Sequence, residues 1–324
     1  MRGIVVKSTG SWYNIEDEQG GIWRCRLRGR LRLAGVRTTN PLTVGDNVVF
    51  SPESATGDLE GGDSDNEGNE HAPRGVITAL EPRRNYIIRR STNLSKEAHI
   101  IASNIDHLFL VTTLDFPPVS PEFLDRFLVT AQMYNVPVVI VLTKCDLFEG
   151  EAFRRFIDRF AATYRAAGYE VIECSGLTGK GTGRIKELAS EGVSLFAGNS
   201  GVGKSTLINA IAPHVNARVG DISSSHFKGR HTTTFSEMFK LPGGGYIIDT
   251  PGIKGFGLID IRPEEVGRYM PDLFALSHEC RFNNCTHTHE PGCAVKAAIE
   301  DGRLSQERYT SYLKMIEKDE KYRV

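Results

Sequence analysis

Residues 198–206 read Gly198-Asn199-Ser200-Gly201-Val202-Gly203-Lys204-Ser205-Thr206, which matches the phosphate-binding pattern G-x-x-x-x-G-K-[ST]. The apolar run 193–197 before it predicts a strand, and 207–211 after it predicts a helical start. Glycines let backbone N–H groups wrap around a phosphate, and the helix N-terminus adds partial positive charge. The stretch therefore predicts a triphosphate site in which Lys204 contacts the β- and γ-phosphates and Ser205 binds Mg²⁺. The alternative, a glycine-rich turn with an incidental Lys-Ser pair, leaves the flanking strand and helix unexplained.

The composition is that of an ordinary soluble protein. The chain has 324 residues and a net charge of −1, so it predicts two or three domains and no global basic field. The N-terminus lacks the apolar run of a signal peptide, and no segment approaches the ~20 apolar residues of a membrane span. We therefore expect a cytoplasmic protein without membrane contact.

The first 80 residues predict a small β-barrel, because short apolar runs alternate with glycine turns. The predicted strands are 3–7, 12–16, 22–27, 47–50 and 75–80. Arginines recur at every second position and would share one face of an extended chain: Arg24, Arg26, Arg28, Arg30 and Arg32. With Trp12, Tyr13 and Trp23 nearby as stacking platforms, this face favours RNA. The alternative is a solvated edge strand that its charges protect from aggregation.

An acidic segment interrupts this region. Residues 51–70 carry seven acidic side chains, several glycines and no Lys or Arg. Such a segment buries too little apolar area to offset its ordering entropy. It predicts a disordered loop, spanning 51–73, inserted before the last barrel strand, and we assign it no chemistry.

After a predicted linker at 81–95, buried strands at 104–113 and 137–142 alternate with amphipathic helices at 121–134 and 151–167, which predicts a parallel sheet. The second strand ends in Thr143-Lys144-Cys145-Asp146, close to the [NT]-K-x-D motif of GTP-binding proteins. The carboxylate of Asp146 can accept two hydrogen bonds from N1–H and the 2-amino group of guanine, an edge that adenine lacks. Taken alone, these four residues are equally compatible with a polar cap after a strand.

A further strand at 169–173 leads into Cys174-Ser175-Gly176, which resembles the short loop that contacts the guanine O6 in GTP-binding proteins. The guanine motif and this loop precede the phosphate-binding loop, whereas they follow it in the common arrangement. We therefore predict a circularly permuted GTPase domain. A parallel sheet tolerates permutation because its contacts, not its chain order, assemble the site.

Two segments after the phosphate-binding loop predict the switches that contact the γ-phosphate. Within 229–234, Thr233 is suited to bind Mg²⁺, and after the strand 246–248, Asp249 would hold Mg²⁺ through water while the Gly252 N–H senses the γ-phosphate. Ile253 occupies the position where many GTPases carry a glutamine that orients water. His231 is the candidate to replace it, with an ordinary exposed loop histidine as the alternative.

The C-terminal part contains a set of metal-binding residue types: Cys280, Cys285, His287 and Cys293. Three thiolates and one imidazole within fourteen residues suit tetrahedral Zn²⁺, and four protein ligands predict a structural site. The alternatives are free cysteines, and His278 or His289 as the imidazole ligand. The tail, 294–300 and 305–321, predicts helices.

These motifs resemble, nearly end to end, the ribosome small-subunit-dependent GTPase family, often called RsgA or YjeQ. The segments 229–234 and 290–295 also resemble that family. The resemblance implies an α/β fold in which an N-terminal OB-type β-barrel (1–80) and a C-terminal helical zinc-binding domain (259–324) flank a circularly permuted P-loop GTPase domain (81–258). It also implies a monomer that binds the small ribosomal subunit and its 16S-type rRNA late in maturation, hydrolyses GTP faster there, and then leaves. The acidic insertion departs from the family pattern.

The residues also permit two other functions. The arginine face would suit a nucleotide-gated RNA-binding module in which hydrolysis only resets binding. A free-standing GTP sensor without RNA is the third hypothesis, and stimulation of hydrolysis by small subunits separates it from the other two.

Overall fold

The computed structural model describes residues 1–9, 11–27, 41–53, 72–90, 98–215, 237–249 and 261–317. No helix in these ranges has the length and apolar character needed to cross a membrane. The predicted switch residues Thr233, His231 and Gly252, the arginines at 28, 30 and 32, and most of the acidic segment lie outside the described residues.

A closed five-stranded barrel forms the N-terminal part. Its strands are β1 (Arg2–Ser8), β2 (Tyr13–Asp17), β3 (Ile22–Leu27), β4 (Asn47–Pro52) and β5 (Arg74–Leu80). They pair in the order β1-β2-β3-β5-β4, and β4 pairs again with β1, which closes the barrel. Alternate side chains, among them Val5, Ile15 and Phe50, fill its core. The barrel prediction is confirmed, although β4 extends through Ser51 and Pro52, which we predicted to be loop.

A hairpin follows where the sequence predicted a linker. Strands β6 (Tyr86–Arg90) and β7 (Ala98–Ser103) pair antiparallel, so the prediction of a linker over 81–95 is wrong at 86–90, and residues 91–95 lie outside the described residues. The buried carboxylate of Asp46 in the barrel accepts hydrogen bonds from Arg83 Nε and Ser103 Oγ, both at 2.6 Å. These contacts, distant in sequence, attach the hairpin to the barrel.

The central sheet has the alternating architecture that the sequence predicts. Its elements are β8 (His107–Thr112), α1 (Pro121–Met133), β9 (Val138–Leu142), α2 (Glu151–Ala166), β10 (Glu170–Glu173), α3 (Thr182–Ala189), β11 (Val193–Ala197), α4 (Lys204–Ile211), β12 (Glu237–Lys240) and β13 (Tyr246–Asp249). The spatial order is β10-β9-β8-β11-β13-β12, parallel except for β12. All five residues of β11 are buried between two apolar clusters. The strand before the phosphate-binding loop is therefore central, and the strand before Thr143 lies two positions away.

The barrel and the central sheet join edge to edge. Lys7 of β1 pairs with Glu237 of β12, which makes one continuous eleven-stranded sheet. The side chains of these two residues also form an ion pair at 3.4 Å, and Lys240 pairs with Glu16 across the same junction.

Short helices form the C-terminal part. They are a 3₁₀ helix (Pro263–Tyr269), α5 (Pro271–Ser277), α6 (Ala294–Glu300) and α7 (Gln306–Glu317). We did not predict the first two, because their apolar residues lack a clear helical period. They pack with Val129 of α1 around Met270 and Tyr312. The C-terminal part thus shares a core with helix α1 beside the central sheet.

A buried ion triad lies in this interface. Arg308 of α7, 1% exposed, contacts Asp125 Oδ1 of α1 at 2.5 Å and Asp272 of α5 at 2.7 and 2.8 Å. Asp125 is fully buried. Burial raises the pKa of Asp125, and the charge of Arg308 opposes that rise.

We expect Arg308→Met to lower the free energy of unfolding by about 3–5 kcal/mol at neutral pH, because it leaves the charge of Asp125 buried without a partner. Without Arg308 the pKa of Asp125 in the folded protein rises further above its unfolded value. The folded state then retains a proton that the unfolded state releases, so the free energy of unfolding falls as pH rises between the two values. The loss should therefore be smaller near pH 4 than at pH 7 in urea denaturation.

The exposed ion pair between Arg159 and Glu307, 2.7 Å long in the same interface, supplies the control. Arg159→Ala should cost less than about 1 kcal/mol at either pH, because the pair is solvated. Equal decreases in the free energy of unfolding of the two variants would show that the triad stabilises the fold no more than a surface ion pair does.

Candidate functional site: a nucleotide pocket and a Cys₃His cluster

The loop 198–203 turns from β11 into α4 through glycines in conformations that other residues rarely adopt. Gly198, Gly201 and Gly203 have φ angles of 153°, 80° and 97°. A Cβ on Gly198 would lie 2.2 Å from the Val111 carbonyl oxygen, so the loop also requires glycine to approach β8. Helix α4 begins at Lys204, three residues earlier than predicted. Its N-terminus therefore lies directly behind the loop.

Two opposite charges lie behind this loop, a buried lysine and a half-buried carboxylate. Lys204 is 8% exposed, and its Nζ donates hydrogen bonds to the carbonyl oxygens of Gly198 at 3.0 Å and Asn199 at 3.2 Å. Asp249 ends β13, in register with Phe196 at the end of β11. Burial lowers the pKa of Lys204 and raises that of Asp249, and each charge opposes the other's shift. The sheet therefore brings together the lysine and carboxylate that the sequence predicts for phosphate and Mg²⁺, and Ser205 lies half-buried beside them in the first turn of α4.

The motif at 143–146 contacts the same loop. The Thr143 hydroxyl lies 2.6 Å from the Val202 carbonyl oxygen and 2.9 Å from that of Thr112. Thr143 is 2% exposed, so it positions the loop rather than facing the pocket. Lys144 adopts a left-handed conformation, with φ of 58°, and Asp146 lies half-buried in the 3₁₀ helix Cys145–Leu147.

The second predicted base loop lies beside this motif. The Cys174 N–H donates to the Leu142 carbonyl at 2.8 Å, and the Cys145 N–H donates to the Cys174 carbonyl at 3.2 Å. Burial raises the pKa of Cys174 to about 12, and Ser175 is 1% exposed. A Cβ on Gly176 would lie 3.2 Å from the Leu207 amide nitrogen, so this loop packs on α4. The predicted base loops and the phosphate-binding loop therefore form one packed unit.

Sequence reasoning missed the connection between β8 and α1. The Lys144 Nζ donates a hydrogen bond to the Phe116 carbonyl, and the Pro117 ring lies beside Gly201. The connection therefore borders the predicted site. The residues themselves match no phosphate or base motif, so only the fold reveals their position.

The C-terminal cluster has the geometry of a metal site. Ligand atoms of Cys280, Cys285, His287 and Cys293 all lie within 4.8 Å of one another. His287 Nδ1 is 3.6 Å from Cys280 Sγ and 3.5 Å from Cys293 Sγ, and these two sulfurs are 4.0 Å apart. Tetrahedral zinc with its usual bond lengths places two sulfurs ~3.8 Å apart and a sulfur and a nitrogen ~3.6 Å apart. The cluster could therefore hold one metal ion.

Two tyrosines hold the main chain beside the imidazole, and of the three candidate histidines His287 is the one in the cluster. The Tyr309 hydroxyl donates to the His287 carbonyl at 2.7 Å, and the Tyr312 hydroxyl donates to the Thr286 carbonyl at 2.7 Å. Burial lowers the pKa of His287, which favours the neutral ring that metals bind. His278 and His289 are exposed and do not belong to the cluster.

The barrel carries the first two residues of the arginine face. Arg24 and Arg26 point outward from β3, whereas Cys25 points into the core. The Arg24 guanidinium lies 4.6 Å from the centre of the Trp12 ring, and Arg26 forms an ion pair with Glu53. Trp12 is therefore already covered on one face by a cation.

Of the other two predicted stacking platforms, Tyr13 is wrong and Trp23 is half-buried against the barrel core. Tyr13 is 1% exposed in the barrel core. Trp23 packs on Phe50, with ring centres 5.5 Å apart, and its Nε1 donates to Asp17 at 2.8 Å. Alternation along the strand decides this, because these two positions face inward.

Comparison with known proteins identifies the family. The RsgA GTPase model matches residues 80–259, and the RsgA N-terminal domain model matches residues 2–57. The chain belongs to the RsgA GTPase family. Small ribosomal subunit biogenesis GTPase RsgA from Bacteroides fragilis is 47% identical, covering 100% of this chain and 99% of the relative. The protein of that name from Phocaeicola vulgatus is 48% identical, with the same coverage of both chains.

Two solved structures share the whole fold. YjeQ from Thermotoga maritima superposes with a TM-score of 0.74 at 32% identity, covering 97% of this chain and 96% of that one. YloQ, described as a circularly permuted GTPase, gives a TM-score of 0.73 at 31% identity, covering 100% and 96%. The predicted fold class, a permuted GTPase domain with a barrel and a C-terminal metal-binding part, is confirmed, as is GTPase activity as the family's chemistry.

Proposed function

We propose that this protein hydrolyses GTP while bound to the small (30S) ribosomal subunit and assists the subunit's late maturation. Hydrolysis is stimulated by the subunit and coupled to release. The protein acts as a cytoplasmic monomer and contacts 16S-type rRNA. The relatives named small ribosomal subunit biogenesis GTPase, 47% and 48% identical over the whole chain, support the subunit as partner.

One observation carries the nucleotide part of the proposal. The Thr143 hydroxyl lies 2.6 Å from the Val202 carbonyl oxygen, so the base motif and the phosphate-binding loop are in contact although 59 residues separate these two positions. Asp146 would select guanine there, beside Lys144, Cys145, Cys174 and Ser175. The residues 198–206 would bind the phosphates, with Gly252 on the γ-phosphate.

Catalysis in this pocket is electrostatic. Lys204 would exchange its loop carbonyls for phosphate oxygens, and Ser205, Thr233 and Asp249 would bind Mg²⁺, directly or through water. His231 would orient the attacking water, because Ile253 cannot. Without a glutamine at that position, turnover by the free protein should be slow.

The three predicted units would divide the work. Residues 1–80 form the barrel, with the insertion at 51–73; residues 81–258 bind and hydrolyse GTP; residues 259–324 hold one structural Zn²⁺. Thiolate and imidazole ligands in a tetrahedral arrangement favour zinc over harder cations. The arginines at 24–32 would contact rRNA phosphates.

The proposal is tested by GTP hydrolysis with and without purified small subunits, and by subunit affinity at 50 and 200 mM salt. We expect stimulated hydrolysis and an affinity that falls roughly tenfold or more with salt, because several phosphates are neutralised. The double variant Arg24→Ala/Arg26→Ala should bind more weakly and show a shallower salt dependence. Arg155→Ala, an exposed arginine of α2, is the control and should match the parent.

The outcomes separate the three hypotheses. A flat salt response, with Arg24 and Arg26 dispensable, would remove the RNA contact and leave a GTPase. Absence of both subunit binding and stimulated hydrolysis would leave a free-standing GTP sensor. Salt-dependent binding without any stimulated hydrolysis would favour the nucleotide-gated RNA-binding module.

A further inference from the structure

Three large apolar side chains are exposed around the base end of the nucleotide pocket. Phe116 is 66% exposed, Leu147 is 54% and Leu177 is 79%. Leu147 follows Asp146, and Leu177 follows Gly176. Exposed apolar side chains grouped at the rim of a pocket contribute binding energy when a ligand covers them.

The backbone at Phe116 is held in an unfavourable conformation. Its φ is 58°, in the left-handed region that bulky residues avoid. Two hydrogen bonds hold the turn: the Phe116 N–H donates to Asp115 Oδ1 at 2.8 Å, and the Thr113 hydroxyl donates to the Asp115 carbonyl at 2.9 Å. Such conformations persist where the surroundings impose them, often at binding sites.

The same turn contacts both halves of the pocket. The Phe116 carbonyl accepts the hydrogen bond from Lys144 Nζ. The Pro117 Cδ lies 3.5 Å from the position that a Cβ on Gly201 would occupy, and the Lys144 Cε lies 3.9 Å from the equivalent position on Gly203. Phe116 therefore emerges where the base motif meets the phosphate-binding loop, which is where the sugar of a bound nucleotide connects base to phosphates.

We propose that the Phe116 ring packs against the sugar and base of the bound guanine nucleotide. The inference rests on the proposed GTP site and adds a nucleoside-binding residue to it. An aromatic ring stacks on the face of a base or packs on the apolar side of a ribose, but it offers nothing to a phosphate. Its contribution should therefore appear for nucleotides and be absent for a phosphate chain alone.

The test compares the affinities of the full-length protein for GDP, GTP and inorganic tripolyphosphate by calorimetry. Phe116→Ala should weaken GDP and GTP about tenfold and leave tripolyphosphate unchanged, whereas Phe116→Tyr should retain the parent affinities. Both variants keep the main-chain carbonyl that binds Lys144. Phe282→Ala, a 40% exposed ring in the C-terminal part, is the matched control and should change nothing.

Phe116→Trp gives a direct readout of contact. The two native tryptophans, Trp12 and Trp23, lie in the barrel, so a fluorescence change on GDP binding that appears only in this variant reports the ring at position 116. Unchanged GDP affinity in Phe116→Ala would overturn the inference while leaving the proposed function intact. An equal loss for tripolyphosphate would also overturn it, because the ring would then shape the phosphate-binding loop. A parent protein without GTP affinity would overturn the proposed function itself.

Discussion

Asp146→Asn should exchange the base preference of the pocket from guanine to xanthine. The asparagine amide oxygen can still accept from the N1–H of either base, but its NH2 group then faces the 2-amino donor of guanine, whereas the C2 oxygen of xanthine can accept from that NH2 group. A site built to pair with polar groups discriminates strongly when they are left unpaired, so we expect preference for GTP over XTP to change by roughly 10⁴. Titration with fluorescent GTP, XTP and ATP measures this.

Asp158→Asn is the matched control for this change. Asp158 lies exposed on α2 and pairs with Arg154, outside the pocket, so its replacement should leave base preference unaltered. If Asp146→Asn still preferred GTP to ATP and bound XTP no better than the parent, Asp146 would not be the base-selecting residue.

Cys285→Ala should abolish zinc binding and unfold the loop around it. Binding of structural zinc is worth about 10–16 kcal/mol in small domains, and the site does not form without all four ligands. The guanine pocket belongs to a different core, so GTP affinity should stay within about tenfold of the parent, which is less than ~1.4 kcal/mol. Metal analysis and nucleotide titration measure the two effects, and stimulation by small subunits should weaken.

The two neighbouring histidines supply a control for the ligand assignment. His287→Ala should lose zinc as Cys285→Ala does. His289→Ala should retain it, because His289 is exposed and its Nδ1 forms a hydrogen bond with the Thr288 hydroxyl instead. Normal zinc content in Cys285→Ala would show that this thiol is not a ligand. Full stimulation by small subunits in the zinc-free variant would separate the metal from subunit recognition.

The weaker stimulation of GTP hydrolysis expected for Cys285→Ala follows from the contacts between the C-terminal part and the GTPase domain. The chain between Gly252 and Cys280 connects the predicted γ-phosphate contact to the metal-binding cluster, and part of that chain lies outside the described residues. The structure adds a second contact, the triad of Arg308 with Asp125 and Asp272. Helix α1, which carries Asp125, begins three residues after Pro118 of the turn beside the pocket. Loss of structure in the C-terminal part would therefore act on helix α1, which leads to the turn beside the nucleotide site.

Much of the candidate site could be predicted because its chemistry is local. The phosphate-binding loop needs glycines at fixed spacing before a helix, and the structure places Gly198, Gly201 and Gly203 in the conformations that require them. The permuted order could be read from the positions of three motifs along the chain. The alternation of arginines along β3 correctly predicted an outward face at Arg24 and Arg26. The same alternation places Tyr13 and Trp23 on the inward face, but we did not use it for the aromatic residues.

The sequence by itself determined the family, the barrel, the permuted sheet and the metal-binding residue types, because each depends on short patterns of residues whose chemistry acts over a few positions. Only the tertiary structure decided which histidine joins the cysteines, that a hairpin occupies part of the predicted linker, and that Phe116 borders the pocket. It also paired Arg308 with Asp125, 183 residues away. The physical reason is that these contacts depend on how buried surfaces pack in three dimensions. The spacing of residues along the chain does not determine which distant residues that packing brings together.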